Sequence, residues 1–156
     1  MSELNFREVS KENFYDIIKL SKTLTTEQQK CVAHNAFSIG EGSVNPNAYY
    51  RGIFLNDKPV GFFMLFIPNE ESIKEGEKDF YLWRFMIAGD HQGKHFGVET
   101  LNHIVEMGKD LGFGELITSC HMGEVSPYDF YLKYGFIDTG KVDEGEQVLQ
   151  YSFKWF

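Results

Sequence analysis

The stretch Phe80 to Val105, FYLWRFMIAGDHQGKHFGVETLNHIV, restricts the possible folds more than any other part of the chain. Its first part reads as a buried strand. Tyr81, Trp83, Phe85 and Ile87 are aromatic or branched side chains suited to one pleated face, and Leu82 and Met86 are expected on the other. The strand ends near Ala88. Gly89 to Gly97 follow as a glycine-spaced, basic run, after which Val98, Leu101, Ile104, Val105 and Gly108 recur at helical spacing. A strand, a glycine loop and a helix in this order create an anion-binding end, because the first helical turn leaves backbone N–H groups unpaired at the positive end of the macrodipole. Small residues at 93 and 97 let a phosphate approach the main chain, and Lys94 adds a positive charge beside it. An ordinary connection whose glycines only turn the chain has the same spacing, so the rest of the sequence has to decide.

Residues 1–156 are read as a single domain, long enough to bury roughly two thirds of the unfolded surface. The first residues, MSELNFREVSKENF, lack a signal-peptide pattern, and no apolar run approaches the roughly 20 residues of a membrane span. A soluble, cytoplasmic protein with no membrane partner is expected. Cys31 and Cys120 form no CxxC pair and read as reduced thiols. The 23 acidic and 15 basic residues leave a formal charge of −8, which argues against nucleic acid as a partner and suits a cationic small molecule, although solubility alone also accounts for such a balance. His91 and His95 are four apart, but Gly93 lies between them and no third ligand is evident, so no metal is expected.

In chain order, residues 5–9 suit a first strand, with Ser10 as N-cap of a helix carrying Phe14, Ile17, Ile18 and Leu20. Thr25 or Thr26 begins a second helix reaching Ala33, and Ser38 to Pro46 has the composition of a loop. Tyr49 to Leu55 and Pro59 to Ile67 form a hairpin around Asn56-Asp57-Lys58, and the second of these strands, apolar on both faces, belongs at the centre of a sheet. Pro68 to Asp79 reads as an exposed connection. After the central helix, Glu115 to Cys120 is a strand, Ser126 and Pro127 start a short helix closed by Gly135, and Phe136 to Lys141 pairs with Val148 to Phe156 around Asp143 to Glu146. The class is α+β, with a central mixed, mostly antiparallel sheet of about six to seven strands and about four helices.

Two motifs stand at an informative separation: Gln92-Gly93-Lys94-His95-Phe96-Gly97 opening one helix, and Phe130-Tyr131-Leu132-Lys133-Tyr134-Gly135-Phe136 closing another. Together they resemble the GNAT superfamily of acetyl-CoA-dependent N-acetyltransferases. The longer matches WRFMI…QGKHFG, GEVSP, FYLKYGF and DTG resemble its bacterial polyamine and diamine acetyltransferase group. The resemblance implies a V-shaped opening between the strand ending at Ala88 and the strand beginning near Glu115, with acetyl-CoA as cosubstrate wedged into it. By the same resemblance, main-chain groups of Phe85, Met86 and Ile87 pair with the pantetheine arm, and amides from Gln92 through Gly93, Lys94, His95, Phe96 and Gly97 cradle the pyrophosphate. Ser126 and Lys133 contact the cofactor from the last helix, and Tyr131 is the general acid that protonates the departing thiolate. His95 departs from the family, which usually has glycine there.

Attack on a thioester requires a neutral amine, and therefore a route for its proton. The strand FYLWRFMI has no carboxylate where many family members keep a glutamate base, which leaves Glu124 as the nearest acidic candidate. Glu27, Glu41 and Glu124 are candidates for an acidic end of the substrate cleft. Arg84 needs a carboxylate partner inside the sheet and is placed with the substrate site. The expected activity is acetyl transfer to a polyamine or diamine. Other small amines, such as aminoglycosides or amino-acid derivatives, are the alternative acceptors, and a non-catalytic acyl-CoA-binding module is the alternative class. Exposed edge strands and the aromatic C-terminal run suggest a homodimer.

Overall fold

The computed structural model describes residues 3–154. Seven strands form one sheet in the order β1-β2-β3-β4-β5-β7-β6. They are β1 (Leu4–Arg7), β2 (Ala48–Leu55), β3 (Lys58–Phe66), β4 (Tyr81–Ile87), β5 (Glu115–Cys120), β6 (Ile137–Asp143) and β7 (Glu146–Ser152). Every neighbouring pair is antiparallel except β4 with β5, which the helix between them joins as a parallel crossover. The class is the mixed α+β expected from the pattern. Six α-helices occur among the described residues: α1 (Phe14–Lys19), α2 (Thr26–Gln29), α3 (Asn35–Ser43), α4 (Glu70–Lys74), α5 (Phe96–Asp110) and α6 (Tyr128–Tyr134).

Two of these helices were not expected. Ser38 to Pro46, read as a loop, is mostly α3, which is capped by the His34 ring accepting from the Ala36 N–H at 3.1 Å. Its Gly42 lies against the Tyr50 ring, where a Cβ would come within 2.8 Å of a ring carbon, so that glycine serves packing and not a turn. The connection from Pro68 to Asp79 holds α4, started by a reciprocal capping box between Asn69 and Ser72. Two other local readings shift. Ser10 opens a turn whose carbonyl accepts from Asn13 and Phe14, and α1 begins only at Phe14. The second helix is a single turn, fixed by a capping box between Thr25 and Gln28, and it ends before Lys30. The final strand stops at Ser152, and Trp155 and Phe156 lie outside the described residues.

Each face of the sheet buries its own cluster. Leu82, Leu101, Ile104, Leu116 and Leu149 pack on the α5 side, and Ile17, Ile39, Phe62, Met64 and Met86 pack beneath α1 and α3. Leu101, Ile104 and Leu116 have no exposed surface, so each contributes roughly 1.5–3 kcal/mol of hydrophobic stabilisation. β3 is buried from Val60 to Leu65, as its apolar run requires.

β4 departs from the simple alternation. Its register with β3 jumps from Leu65↔Leu82 to Met64↔Arg84, leaving Trp83 as an extra residue. The bulge reverses the side-chain phase, so Leu82 shares a cluster with Phe85 and Ile87 while Trp83 joins Met86. The expectation of Trp83, Phe85 and Ile87 on one face is thereby corrected. β4 and β5 then pair at only two positions, Tyr81↔Ile117 and Leu82↔Thr118. Beyond Leu82 the two strands part.

Candidate functional site

The parting of β4 and β5 leaves a groove whose far wall is the start of α5. Between them the chain makes a 3-10 turn, Gly89–His91. Gly89 seats this turn on Thr23: its N–H donates to Thr23 Oγ1 at 2.9 Å, and a Cβ would lie 2.2 Å from the Thr23 carbonyl oxygen. The Gln92 side chain then donates to the Ile87 carbonyl at 3.0 Å and accepts from Gln28 at 3.0 Å, tying α2 to the loop. Gly93 (φ 78°) and His95 (φ 67°) both adopt left-handed backbone, which bends the chain tightly into the helix. His95 is the N-cap of α5 and its side chain makes no capping hydrogen bond. The amides of the first turn therefore remain available at the positive end of a 15-residue helix.

A cleft of about 590 Å³ fills this groove. Phe85, Met86 and Ile87 from β4 form one side, Gly93, His95, Phe96, Gly97 and Val98 one end, and Val125, Ser126, Pro127, Phe130, Tyr131 and Lys133 the other side. Gly97 is required by α6, since a Cβ would stand 2.9 Å from the Phe130 ring. An apolar trough with helix amides at one end and Lys133 in its wall matches an elongated ligand with an apolar arm and an anionic end. His91 is buried in the wall and burial lowers its pKa, an effect partly opposed by Asp90, so its ring is held toward the neutral form.

A second cavity of about 710 Å³ opens on the other side of the split and shares Cys31, Val32, Phe85, Pro127 and Tyr131 with the first. Its lining carries four carboxylates, Glu41, Asp143, Glu144 and Glu146, and two cations, Lys30 and Arg84. Arg84 donates to Glu41 at 2.9 Å, so one of the four is already paired. Tyr81 and Ser119 share a hydrogen bond in the same lining, and Ser119 Oγ donates to Glu146 at 2.8 Å. Tyr131, 5 % exposed, sits where the cavities meet; burial drives its phenol pKa well above the ordinary value, against a smaller lowering by a hydrogen bond with Thr118. Its phenol stays protonated throughout the physiological range.

Of the residues singled out in the sequence, Phe85, Met86, Ile87, Gln92, Gly93, His95, Phe96, Gly97, Ser126, Tyr131 and Lys133 converge on the first cleft, and Glu41 and Arg84 line the second. Lys94 is exposed on the loop and lines neither. Glu27 pairs with Lys30 at 3.5 Å on the outside of α2, and Glu124 is exposed in the loop before α6; neither reaches these cavities. Sequence reading missed Cys31, whose thiol donates to the Val125 carbonyl at 3.0 Å and lies 3.4 Å from His121 Nε2, joining the segment after α2 to the loop before α6. It also missed Tyr81, Ser119 and the β6–β7 carboxylates, which only the sheet order brings together. Among the described residues no group of three or more His, Cys, Asp or Glu is placed to hold a metal ion, and no helix is long and apolar enough to cross a membrane.

Comparison with known proteins gives a consistent result. The family model described as the acetyltransferase (GNAT) family matches residues 11–136. Among solved structures, the PaiA N-acetyltransferase of Thermoplasma acidophilum in complex with coenzyme A is 18 % identical, with a TM-score of 0.71 over 98 % of this chain and 100 % of that one. An acetyltransferase of Thermus thermophilus is 17 % identical, with a TM-score of 0.76 over 98 % of each chain. An aminoglycoside 6'-N-acetyltransferase complexed with coenzyme A is 16 % identical, with a TM-score of 0.68 over 95 % of this chain and 96 % of that one. At these identities the structural likeness establishes a shared fold. No curated protein matches the sequence.

Proposed function

The chain belongs to the GNAT acetyltransferase family, and from that premise we propose that it transfers acetyl from acetyl-CoA to a primary amine of a small cationic substrate, a polyamine or diamine, within a ternary complex. The observation that carries this reading is the pair of cavities meeting at Tyr131, one apolar and ending in helix amides, the other lined by four carboxylates. A donor and a cationic acceptor then approach the same point from opposite sides of the sheet.

Acetyl-CoA, when bound, supplies an electrophilic thioester carbonyl and a thiolate leaving group. In this reading the edge of β4 from Phe85 to Ile87, which β5 leaves open and whose Ile87 carbonyl accepts from Gln92, holds the pantetheine arm as an added strand. The first-turn amides of α5, with Gln92, Gly93 and His95 behind them, hold the pyrophosphate, assisted by Lys133. Ser126 donates to the His121 carbonyl at 2.8 Å and accepts from the Tyr128 N–H at 3.2 Å, so it fixes the approach to α6 as well as lining the cleft. Tyr131 donates a proton to the sulfur as charge develops there. Glu41 and the hairpin carboxylates bind the ammonium groups of the acceptor, and Arg84 orients Glu41. A homodimer through the sheet edges β1 or β6 is a further part of the proposal, checked by sedimentation.

Thiol release measured with acetyl-CoA and a panel of putrescine, spermidine, an aminoglycoside and amino-acid amides tests the reading. The di- and polyamines are expected to give the highest kcat/KM. Preference for a monoamine would overturn the polyamine assignment, and calorimetric binding of acetyl-CoA with no turnover on any amine would favour a binding module.

A further inference from the structure

We propose that Tyr81, Ser119 and Glu146 form the proton exit for the acceptor amine, taking the place of a carboxylate on β4. The inference rests on the acetyl-transfer reading above and adds the route by which the ammonium becomes a nucleophile. β4 runs Tyr-Leu-Trp-Arg-Phe-Met-Ile and carries no acidic residue. The three groups lie in the lining of the acceptor cavity and come from three strands, β4, β5 and β7. They meet because β7 inserts beside β5, with Ser119↔Val148 and Cys120↔Gln147 in register, which brings Glu146 next to Ser119.

The direction of the chain follows from its hydrogen bonds. An ionised carboxylate only accepts, so the single Ser119 proton points to Glu146 at 2.8 Å. The hydrogen bond between Tyr81 and Ser119 is then donated by the tyrosine. The Tyr81 oxygen keeps lone pairs for a further donor, and in this cavity that donor is an ammonium N–H. Deprotonation moves three protons one place each: from ammonium nitrogen to Tyr81 oxygen, from Tyr81 to Ser119, and from Ser119 to the Glu146 carboxylate. The products are a neutral amine with its lone pair free and a neutral Glu146, with both hydroxyls restored. Glu146 sits at the β6–β7 turn and returns the proton to water. Burial raises the Tyr81 pKa, so the phenol relays a proton without resting as phenolate.

The charged and titratable groups facing this chain are Asp143 and Glu144 from the hairpin, Arg84 from β4, Glu41 from α3 and Lys30 after α2. Cys120 from β5 and Tyr131 from α6 complete the surroundings. The carboxylates favour a cation beside Tyr81, and Arg84, paired with Glu41, opposes it.

The test compares wild type with Tyr81→Phe, Ser119→Ala and Glu146→Gln by kcat/KM for spermidine across pH, alongside melting temperature and acetyl-CoA affinity. The expected result is a loss of about 10²-fold near neutral pH that shrinks as the amine itself becomes neutral at alkaline pH, with acetyl-CoA affinity unchanged. An acceptor of low basicity, aminoacetonitrile, is expected to show almost no loss. A loss equal at every pH and for both amines would assign the three residues a structural role and overturn the proposal, as would variants matching wild type throughout. If Glu146→Gln fails to fold, the near-isosteric Tyr81→Phe and Ser119→Ala decide. A wild type that acetylates no amine would overturn the acetyl-transfer reading, and the relay with it.

Discussion

Replacing Tyr131 with phenylalanine removes one oxygen from the junction of the two cavities and leaves the ring. That ring is 5 % exposed and packs edge-on to Phe136 at 5.1 Å between centroids. The backbone of the residue closes α6, its N–H donating to Pro127 and its carbonyl accepting from Phe136. None of these contacts uses the hydroxyl. Stability should fall only by the net value of one hydrogen bond, with Thr118, about 1 kcal/mol, which lowers Tm by about 2–4 °C for a chain of this size. The kinetic effect should be much larger. A positioned general acid contributes about 10²–10⁴ in rate, and a 10²-fold loss corresponds to about 2.7 kcal/mol of transition-state stabilisation. The assay is thiol release with both substrates saturating, paired with calorimetry for acetyl-CoA. The expected signature is a kcat loss of at least about 10²-fold with acetyl-CoA affinity unchanged, and a smaller deficit with an acetyl aryl thioester, whose thiol leaves without protonation. A kcat within about twofold of wild type, a difference of only about 0.4 kcal/mol, would refute the role of Tyr131.

Other substitutions probe the supports of the site. His95→Gly removes a side chain from left-handed backbone, φ 67°. Relief of about 1–2 kcal/mol, set against about 0.5–1 kcal/mol of glycine entropy, should give a net stabilisation of roughly 0.5–1 kcal/mol in chemical denaturation; a destabilised variant would show that the His95 side chain holds the loop. Gly89→Ala puts a methyl group 2.2 Å from the Thr23 carbonyl oxygen and should cost about 1–3 kcal/mol, together with weaker acetyl-CoA binding; wild-type stability would mean that the turn at 89–91 moves freely. Burial, and to a lesser extent Arg51, lowers the pKa of His103, which stacks on Phe6 at 4.1 Å. The unfolded chain therefore binds more protons than the folded one from about pH 6.5 down to the lowered folded-state pKa, so stability is full above that window and falls as the medium is acidified through it. Tm should drop between about pH 7 and pH 5, and less steeply in His103→Gln; equal slopes would exclude this histidine as the cause.

The strand, loop and helix from Phe80 to Val105 were legible because their signals are local: alternation, glycine spacing and helical periodicity lie within one stretch. The V-shaped opening came from family resemblance, and its physical origin is the two-pair contact of β4 with β5. The bulge at Trp83 left no trace in sequence, since Tyr81, Trp83, Phe85 and Ile87 alternate without a break and only pairing with β3 exposes the extra residue. α3 was hidden because Gly40, Gly42 and Ser43 have loop composition, whereas Gly42 is needed under Tyr50. The second cavity was the least legible. Asp143, Glu144 and Glu146 read as the turn of the final hairpin, and they become cavity wall only because β7 pairs with β5 and β6 together. Glu27 lies outside both cavities for a related reason: in a helix of one turn it faces Lys30.

In the proposed reaction, one apolar, amide-ended cleft and one carboxylate-lined cavity meet at Tyr131 to join a thioester and an amine. Mass spectrometry of spermidine incubated with the protein and acetyl-CoA, with thiol release followed in parallel, tests it most directly. N-acetylspermidine is expected in equal amount to the thiol released. Acetyl-CoA that binds yet releases thiol at the same rate with and without any amine would contradict it.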